Sequence, residues 1–204
     1  MSLENLEPAR TGLVIVDLQN DFVHSQGAYA RGGATSDMIA ALPARVKPVA
    51  DALRAKGGWV ISTQFTLVPG KDGEPFISPH LKELRPFLRK GDFCPGAWGH
   101  QLLDELQPAD LSVEKVAYSA FYMSRLEWVL KKAGIDTLIF CGIVTNGGVA
   151  STLRDAHVRD FSTAILTDGC GAFKQATHEA AIADLSTIAK PMTCAEAVAL
   201  IESR

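Results

Sequence analysis

The alternation of short apolar runs with longer amphipathic stretches is the feature that most constrains how this chain folds. Short, continuous apolar runs are typical of parallel strands that are covered by helices on both faces. Amphipathic stretches between such runs are typical of the crossover helices that join parallel strands. The pattern therefore predicts an α/β fold of three layers, with a mostly parallel six-stranded sheet and helices on both faces.

The positions of the predicted elements follow from the ends of these runs. We predict strands at Gly12 to Asp17, Trp59 to Gln64, Ser112 to Ala117, Thr137 to Ile143, Phe161 to Thr167 and Thr187 to Met192. We predict helices at Ser36 to Lys56, Gly99 to Gln107, Tyr122 to Ala133, Gly147 to Arg159, Thr177 to Ser186 and Cys194 to Ser203. Pro43 and Pro48 predict an irregular start or a kink in the first helix, because proline lacks the backbone donor that a helix needs.

Length, composition and charge restrict the class of protein. A chain of 204 residues that is 47% apolar is long enough to bury a core, so we expect a single domain over residues 1–204. Lys and Arg number 20 against 23 Asp and Glu, with no long basic run, which excludes a typical nucleic-acid partner. No apolar run approaches a membrane span, and the first residues lack the pattern of a signal peptide. We therefore expect a cytoplasmic protein with a small-molecule partner and no membrane contact.

The cysteines and histidines give no sign of a metal site or a disulfide framework. The four cysteines (Cys94, Cys141, Cys170 and Cys194) lack the close pairs of a zinc site and suit free thiols. The five histidines (His24, His80, His100, His157 and His178) are dispersed without ligand spacing. We predict no metal and no cofactor.

Polar residues that follow apolar runs are candidates for function, because ligands of a parallel sheet bind beyond the carboxyl ends of its strands. Asp17 ends the first run, Gln64 the second and Lys115 the third. A fourth run leads into Val144 and then into Gly147-Gly148 at the start of a predicted helix. These strand ends are expected to meet at one edge of the sheet.

Two of these features have both a functional and a structural interpretation. Asp17 and Lys115, placed at neighbouring strand ends, would favour each other's charged forms in a poorly solvated cleft. An ion pair that only fixes strand order is the structural alternative. Gly148 at a helix start would let an anion approach backbone donors, whereas a tight turn is the alternative.

Three motifs in order resemble those of the isochorismatase-like hydrolase family: Val16-Asp17-Leu-Gln-Asn-Asp21-Phe22, Lys115 with Tyr118-Ser-Ala-Phe121, and Gly142-Ile-Val-Thr145-Asn-Gly-Gly148-Val149. The resemblance extends from about Thr11 to Ile201. It implies a parallel sheet with helices on both faces and an Asp-Lys-Cys triad that hydrolyses small amides. It also implies a cis peptide bond between Ile143 and Val144, which would turn the amides of Val144 and Gly148 toward one point.

The sequence departs from that family's pattern at the nucleophile. Gly148 stands where the family motif has its cysteine, and glycine offers no thiolate for covalent catalysis. The isochorismatases proper resemble this chain in having glycine there, and they hydrolyse a vinyl ether without a covalent intermediate. Thr145-Asn146 stands where they have Ala-His, so the substrate need not be isochorismate. The zinc-binding nicotinamidase branch has an Asp-x-His where this chain has Gln64-Phe65-Thr66.

The catalytic candidates are therefore Asp17, Lys115 and Gly148, and the substrate-binding candidates are Gln64, Phe22, Trp98 and Val144. Solvation of a strand end is the alternative for Gln64, and a place in the core is the alternative for the aromatic residues. Cys94 is a less favoured replacement nucleophile.

Three hypotheses about function follow. The first is a cofactor-free hydrolase of a small metabolite, in which Asp17 acts as acid and base to hydrolyse a vinyl ether or a C–N bond. The second is an inactive small-molecule-binding or scaffold protein. The third is an amidase whose nucleophilic cysteine is missing. Deliberate removal of that cysteine to trap a complex is one form of this hypothesis.

The proline- and glycine-rich segment from Thr66 to Pro95 is predicted to be a lid or an oligomer contact. Its apolar residues are Phe76, Ile77, Leu81, Leu84, Phe87 and Leu88. We expect a homo-oligomer, dimer or tetramer, because so irregular a segment would not bury all of them alone.

Overall fold

The computed structural model describes residues 6–204, and in them the chain forms a parallel sheet of six strands. The strands are β1 (Thr11–Val16), β2 (Trp59–Phe65), β3 (Leu111–Lys115), β4 (Thr137–Ile143), β5 (Ser162–Gly171) and β6 (Lys190–Met192). Their order across the sheet is β3-β2-β1-β4-β5-β6, and all neighbouring pairs are parallel. The predicted α/β fold is confirmed.

The strand order sets the position of the functional edge. The chain builds outward from β1 to β3 and then returns to the other side of β1 with β4. At such a reversal the loops after the two central strands diverge to opposite faces and leave a crevice at their carboxyl ends. Asp17 directly follows β1, and the segment containing Gly148 follows β4, so both lie at this crevice.

The helices cover both faces of the sheet. They are α1 (Asn20–Val23), α2 (Ala28–Arg31), α3 (Asp37–Ala40), α4 (Leu42–Ala55), α5 (Pro79–Leu84), α6 (Leu126–Lys132), α7 (Ala150–His157), α8 (Gln175–Leu185) and α9 (Cys194–Glu202). A π-helical turn, Thr145–Val149, precedes α7. None of the helices within residues 6–204 has the length and apolarity that crossing a membrane requires.

The core is divided between the two faces because successive strand residues point in opposite directions. In β1, Leu13 and Ile15 pack into a cluster with residues of α4 and α9. Val14 and Val16 pack into a second cluster with residues of α6 and α7. All six residues of β1 are buried, which explains why its sequence is continuously apolar rather than alternating.

Several predicted elements differ from the structure, and the largest difference lies between β2 and β3. The predicted helix Gly99 to Gln107 is instead two short 3-10 turns, Trp98–His100 and Asp104–Leu106. Besides the short-range bonds within these turns, its backbone bonds to the chain after β1: the Leu103 amide donates to the Leu18 carbonyl at 3.0 Å, and the Gln101 carbonyl accepts from the Asn20 amide at 3.0 Å. Long-range pairing therefore overrides the local helical pattern.

Other predicted elements are present but begin at a different residue. The helix predicted from Tyr122 begins at Leu126, because Met123 has a positive φ of 49° that interrupts any earlier helical turn. The strand predicted from Thr187 begins at Lys190, since the amide of Ala189 still bonds back to the Leu185 carbonyl at 2.9 Å. The first predicted helix is divided into α3 and α4, as its prolines led us to expect.

The segment from Thr66 to Pro95 contains α5 and packs on a small third cluster. Buried residues of α2 and of the segment itself form it, namely Ala28, Tyr29, Leu67, Leu88 and Phe93. Ile77, Leu81 and Phe87 pack against it, whereas Phe76 and Leu84 are 73% and 47% exposed. The segment thus buries only part of its apolar surface within one chain.

Candidate active site

A buried ion pair between Asp17 and Lys115 forms the centre of the candidate site. The Lys115 Nζ lies 2.7 Å from the Asp17 Oδ2, and the two residues are 3% and 4% exposed. We had predicted that Asp17 and Lys115 end neighbouring strands, and this was wrong, because β2 lies between β1 and β3. The long lysine side chain reaches across β2 to make the contact.

Local backbone geometry directs the Asp17 side chain. Its φ of 57° lies in the left-handed region, which is uncommon for a residue with a side chain. The Asp17 amide donates to the Thr63 carbonyl at 3.1 Å, and the Thr63 Oγ1 donates to Asp17 Oδ1 at 3.2 Å. Strained residues of this kind persist where the surrounding structure fixes them, and they concentrate at functional sites.

The charge balance at Asp17 is decided by burial. Loss of solvent raises the pKa of the Asp17 carboxyl, while the ammonium group of Lys115 and the Thr63 hydroxyl act in the opposite direction and do not fully offset it. The Lys115 Nζ also donates to the Ala117 carbonyl at 3.0 Å and lies 5.4 Å from the centre of the Phe65 ring. The pKa of the Asp17 carboxyl therefore lies above its ordinary value, and carboxyl groups shifted in this way concentrate at functional sites.

Gly148 lies directly beside this carboxylate. A Cβ atom added to Gly148 would be 3.3 Å from the Asp17 Oδ2, 3.2 Å from the Val16 Cγ1 and 3.0 Å from the Ile143 carbonyl oxygen. The Ile143–Val144 peptide bond is cis, as predicted. Asp17, Lys115 and Gly148 thus lie together at one edge of the sheet, and their catalytic roles remain a prediction.

A cavity of about 310 Å³ opens above the pair. Asp17, Lys115, Val144 and Gly148 form part of its wall. Much of the remaining wall is aromatic and comes from segments distant in sequence, namely Phe22, Tyr29, Phe65, Tyr118 and Phe173. An enclosed, largely apolar space with a few polar groups is typical of a small-molecule site.

Two of the predicted substrate-binding residues lie elsewhere. Gln64 is outside the cavity wall because its side-chain amide donates to the His100 carbonyl at 3.3 Å. Trp98 is also outside the wall, where its ring packs edge-on against the His24 ring at 4.9 Å and is 44% exposed. These two side chains therefore do not line this cavity, and their contact with a substrate remains a prediction. Phe22 and Val144 do line the cavity.

Sequence reasoning missed most of the remaining wall residues, among them Tyr29, His80, Arg85 and Phe173. Phe173 follows the carboxyl end of β5, so the rule that identified Asp17 applies to it as well. His80 and Arg85 belong to the segment between β2 and β3. Their position among apolar residues of that segment was the one sequence feature that could have marked them as wall residues.

Asp21, which lies in the same motif as Asp17, has a structural role. Its Oδ1 accepts from the Ala28 amide at 3.0 Å and its Oδ2 from the Phe93 amide at 2.7 Å. Gly99 passes so close that an added Cβ would be 2.1 Å from the Asp21 Oδ2. The carboxylate therefore joins three loops beside the cavity.

The cysteines of the described chain lie away from the cavity wall. Cys141, Cys170 and Cys194 are buried, and burial raises the pKa of the Cys194 thiol to about 12. Cys94 is half-buried in the segment before the Trp98 turn. Among residues 6–204, no set of three or more His, Cys, Asp or Glu side chains is placed to hold a metal ion.

The buried histidines are held by threonine hydroxyls. His100 Nε2 lies 2.8 Å from Thr66 Oγ1, and His178 Nδ1 lies 2.8 Å from Thr145 Oγ1. Burial lowers the pKa of both imidazoles, which favours their neutral forms.

The fold defines a class, the α/β proteins with an isochorismatase-like parallel sheet. Among solved structures, a cysteine hydrolase from Pseudomonas syringae pv. phaseolicola 1448A superposes with a TM-score of 0.83 at 24% identity, covering 97% of this chain and 95% of that one. An N-carbamoylsarcosine amidase from Thermoplasma acidophilum superposes with a TM-score of 0.71 at 22% identity, covering 91% and 96%. These similarities establish the shared fold.

Sequence comparison specifies the family. The isochorismatase domain matches residues 11–197. The ureidoacrylate amidohydrolase RutB of Pseudomonas syringae pv. syringae (strain B728a) is 36% identical over 186 residues, which cover 86% of this chain and 73% of that protein. The RutB of Caulobacter vibrioides (strain ATCC 19089 / CIP 103742 / CB 15) is 32% identical, covering 86% and 80%. The chain belongs to the isochorismatase family and is a hydrolase.

Proposed function

We propose that this chain is a cofactor-free hydrolase that cleaves a C–N bond in a small metabolite, with Asp17 moving the proton and water as the nucleophile. The observation that carries the proposal is the buried Asp17–Lys115 pair, which faces an open cavity beside Gly148. The relatives named as ureidoacrylate amidohydrolases support a ureide or amide as the bond that is cleaved.

The reaction follows from the groups that face the cavity. Ionised Asp17 accepts a proton from water as the water oxygen attacks the carbonyl carbon of the substrate. The backbone amides of Val144 and Gly148 would stabilise the negative charge that develops on the carbonyl oxygen. Protonated Asp17 then donates its proton to the leaving nitrogen, the C–N bond breaks, and Lys115 stabilises the carboxylate that is restored.

The open cavity argues against a scaffold role. A protein that had kept only the fold would have no need of a desolvated carboxylate, because burying an ion pair costs solvation that apolar side chains would not require. The site instead retains both charges and the space above them.

A second reaction is favoured by one observation, the absence of a side chain at position 148. Hydrolysis of a vinyl ether needs no protein nucleophile: protonated Asp17 would donate to the alkene carbon, and water would add to the resulting oxocarbenium ion. The added water returns a proton to Asp17, and that proton passes to the leaving oxygen as the hemiketal breaks its C–O bond to give a ketone and an alcohol. The raised pKa of the Asp17 carboxyl suits this donor role.

Replacement of Asp17 by Asn tests the proposal. With a panel of ureido acids, small amides and vinyl ethers, we expect Asp17→Asn to lower kcat by about 10²-fold or more, because general acid–base catalysis typically contributes this much. Binding, followed by calorimetry, should persist, and Asp184→Asn on the exposed face of α8 serves as the control. A wild-type protein that binds members of the panel but converts none would establish a binding protein instead.

The pH profile separates the two reactions. If Asp17 is a base, kcat/KM falls as the pH drops through its pKa, which burial holds above the ordinary value of 3.8. If Asp17 is an acid, kcat/KM falls as the pH rises through the same pKa. Whether kcat/KM falls at low or at high pH tells whether Asp17 acts as a base or as an acid. The same fall should be absent in Asp17→Asn.

A further inference from the structure

The Arg85 side chain lies on the cavity wall, where it packs against aromatic rings rather than pairing with a carboxylate. It immediately follows α5, whose first turn is capped by the Ser78 Oγ accepting from the Leu81 amide at 3.2 Å. The Arg85 Cζ lies 5.6 Å from the centre of the Tyr29 ring and 5.5 Å from that of Phe173. These two rings are stacked at 6.0 Å, so the guanidinium group contacts a preformed aromatic surface.

The hydrogen bonds of Arg85 leave most of its donors available. Its Nε donates to the Tyr29 hydroxyl at 3.3 Å and its Nη1 to the Leu84 carbonyl at 2.8 Å. A guanidinium group carries five N–H donors. Within residues 6–204 its hydrogen-bond partners include no carboxylate, and it takes part in none of the ion pairs.

The cavity consequently has an excess of positive charge. Asp17 is the only carboxylate on its wall as described, and Lys115 already neutralises it. The other ionisable side chains on the wall are Arg85, His80 and the phenols of Tyr29 and Tyr118. An arginine in a largely apolar space, fixed by ring contacts and with free donors, is suited to two parallel hydrogen bonds with a carboxylate.

We infer that Arg85 is a specificity-determining residue that binds a carboxylate group of the substrate. The inference rests on the proposed function and deepens it: the substrate class becomes small ureido or amido acids, with the carboxylate at Arg85 and the bond to be cleaved at Asp17. A cavity of about 310 Å³ limits these acids to small metabolites.

Binding of a matched pair of probes tests the inference without requiring turnover. The probes are 3-ureidopropionate and 3-ureidopropionamide, which differ only in carrying a carboxylate or a neutral amide. By titration calorimetry, we expect the wild-type protein to bind the carboxylate at least about tenfold more tightly, as a hydrogen-bonded charge pair would give. Arg85→Gln should remove this preference and leave binding of the amide unchanged.

Two further variants make the test specific. Arg85→Lys keeps the charge but loses the paired donors. We therefore expect its preference for the carboxylate probe to be weaker than that of the wild type and stronger than that of Arg85→Gln. Arg89→Gln is the matched control, since Arg89 lies four residues further along the same segment and outside the cavity wall. It should bind both probes as the wild type does.

The outcomes separate this inference from the proposed function. Equal binding of the two probes by the wild type, no binding of either, or a preference that survives in Arg85→Gln would overturn the role of Arg85, whatever the activity. Loss of the preference in Arg85→Gln establishes it even in a protein that cleaves neither probe. Failure of the proposed function is shown separately by absence of turnover across the substrate panel.

Discussion

At the scale of single residues, Asp17 and Gly148 define what the site can do. The carboxylate is buried and raised in pKa, and the position facing it has no side chain. A thiol at position 148 would lie next to Asp17, which could accept its proton and generate the thiolate. The chemistry of the site therefore depends on one missing side chain.

Replacement of Gly148 by Cys tests this dependence directly. We expect Gly148→Cys to hydrolyse at least one small carbamoyl or carboxamide substrate through a covalent acyl- or carbamoyl-cysteine, for which glycine at position 148 offers no thiol in the wild type. The added Cβ is within 3.0 Å of the Ile143 carbonyl oxygen, so a small shift of the backbone and some loss of stability will accompany the change. Mass spectrometry of the quenched enzyme would detect the acylated cysteine.

Gly148→Ala is the matched control, because it adds the same Cβ without the thiol. It should show no covalent intermediate and a similar loss of stability. A Gly148→Cys enzyme that folds, keeps Asp17 in place and forms no acyl-enzyme with any substrate would contradict the expectation that Asp17 activates a thiol at position 148.

At the scale of elements, the cavity depends on loops that are joined by the Asp21 carboxylate. Its two oxygens accept from the amides of Ala28, at the start of α2, and Phe93, at the end of the segment between β2 and β3. Asn in its place would offer one acceptor and turn an NH2 group toward the other backbone donor. One buried backbone N–H group would then lose its partner.

We expect Asp21→Asn to lower the free energy of unfolding by about 1–3 kcal/mol, the cost of leaving a buried polar group unsatisfied. Denaturant titration with equal slopes for the two proteins would measure it. Asp37→Asn is the control, because Asp37 is exposed in the first turn of α3. A loss no larger than that of the control would show that the loops are held by other contacts.

The elements that the sequence predicted well are those whose pattern is local. The strands β1 and β4 were identified closely because both are buried on both faces and hence continuously apolar. The positive φ of Gly57 and Gly134 agrees with the helix ends predicted there. The helix predicted from Gly99 was wrong because the backbone of that segment pairs with residues about 80 positions earlier, which no local pattern records.

The residues of the candidate site also divide into those that a local pattern predicts and those that only tertiary contacts place. Asp17, Lys115 and the Val144 to Gly148 segment were predictable, since each ends a strand and parallel strands end at one edge. Gln64 and Trp98 occupy comparable positions, but hydrogen bonding to the His100 carbonyl and packing on His24 turn them away from the cavity. The Arg85 contact with Tyr29 and Phe173 joins three distant segments, so only the tertiary structure reveals it.

At the scale of the whole molecule, the remaining exposed apolar surface bears on assembly. Phe76 and Leu84 are exposed after the rest of their segment has packed. A second exposed apolar group follows β3 and consists of Val116, Tyr118, Tyr122 and Met123. Large apolar side chains exposed in this number are a feature of protein–protein contacts. A homo-oligomer, dimer or tetramer, therefore remains our prediction.

Light scattering coupled to size-exclusion chromatography at micromolar concentration should give a mass of two or four chains. Phe76→Asp should shift the mass toward the monomer, because a carboxylate would be desolvated in the contact. Val158→Asp is the control, since Val158 is 70% exposed but lies at the end of α7 and outside both apolar groups. A wild-type protein that elutes as a monomer would refute the prediction.

The cavity wall is built from two parts of the chain that are under different constraints. The ends of β1, β3 and β4 supply the charged pair and Gly148, and these strands also hold the core together. The segment between β2 and β3 supplies His80, Leu81, Leu84 and Arg85, and much of it rests on the surface. In evolutionary terms, mutations of the wall residues in that segment are expected to alter which molecules are admitted, because they change neither the Asp17–Lys115 pair nor the strands of the core. Descendants of this chain should therefore acquire new substrates mainly by change between β2 and β3.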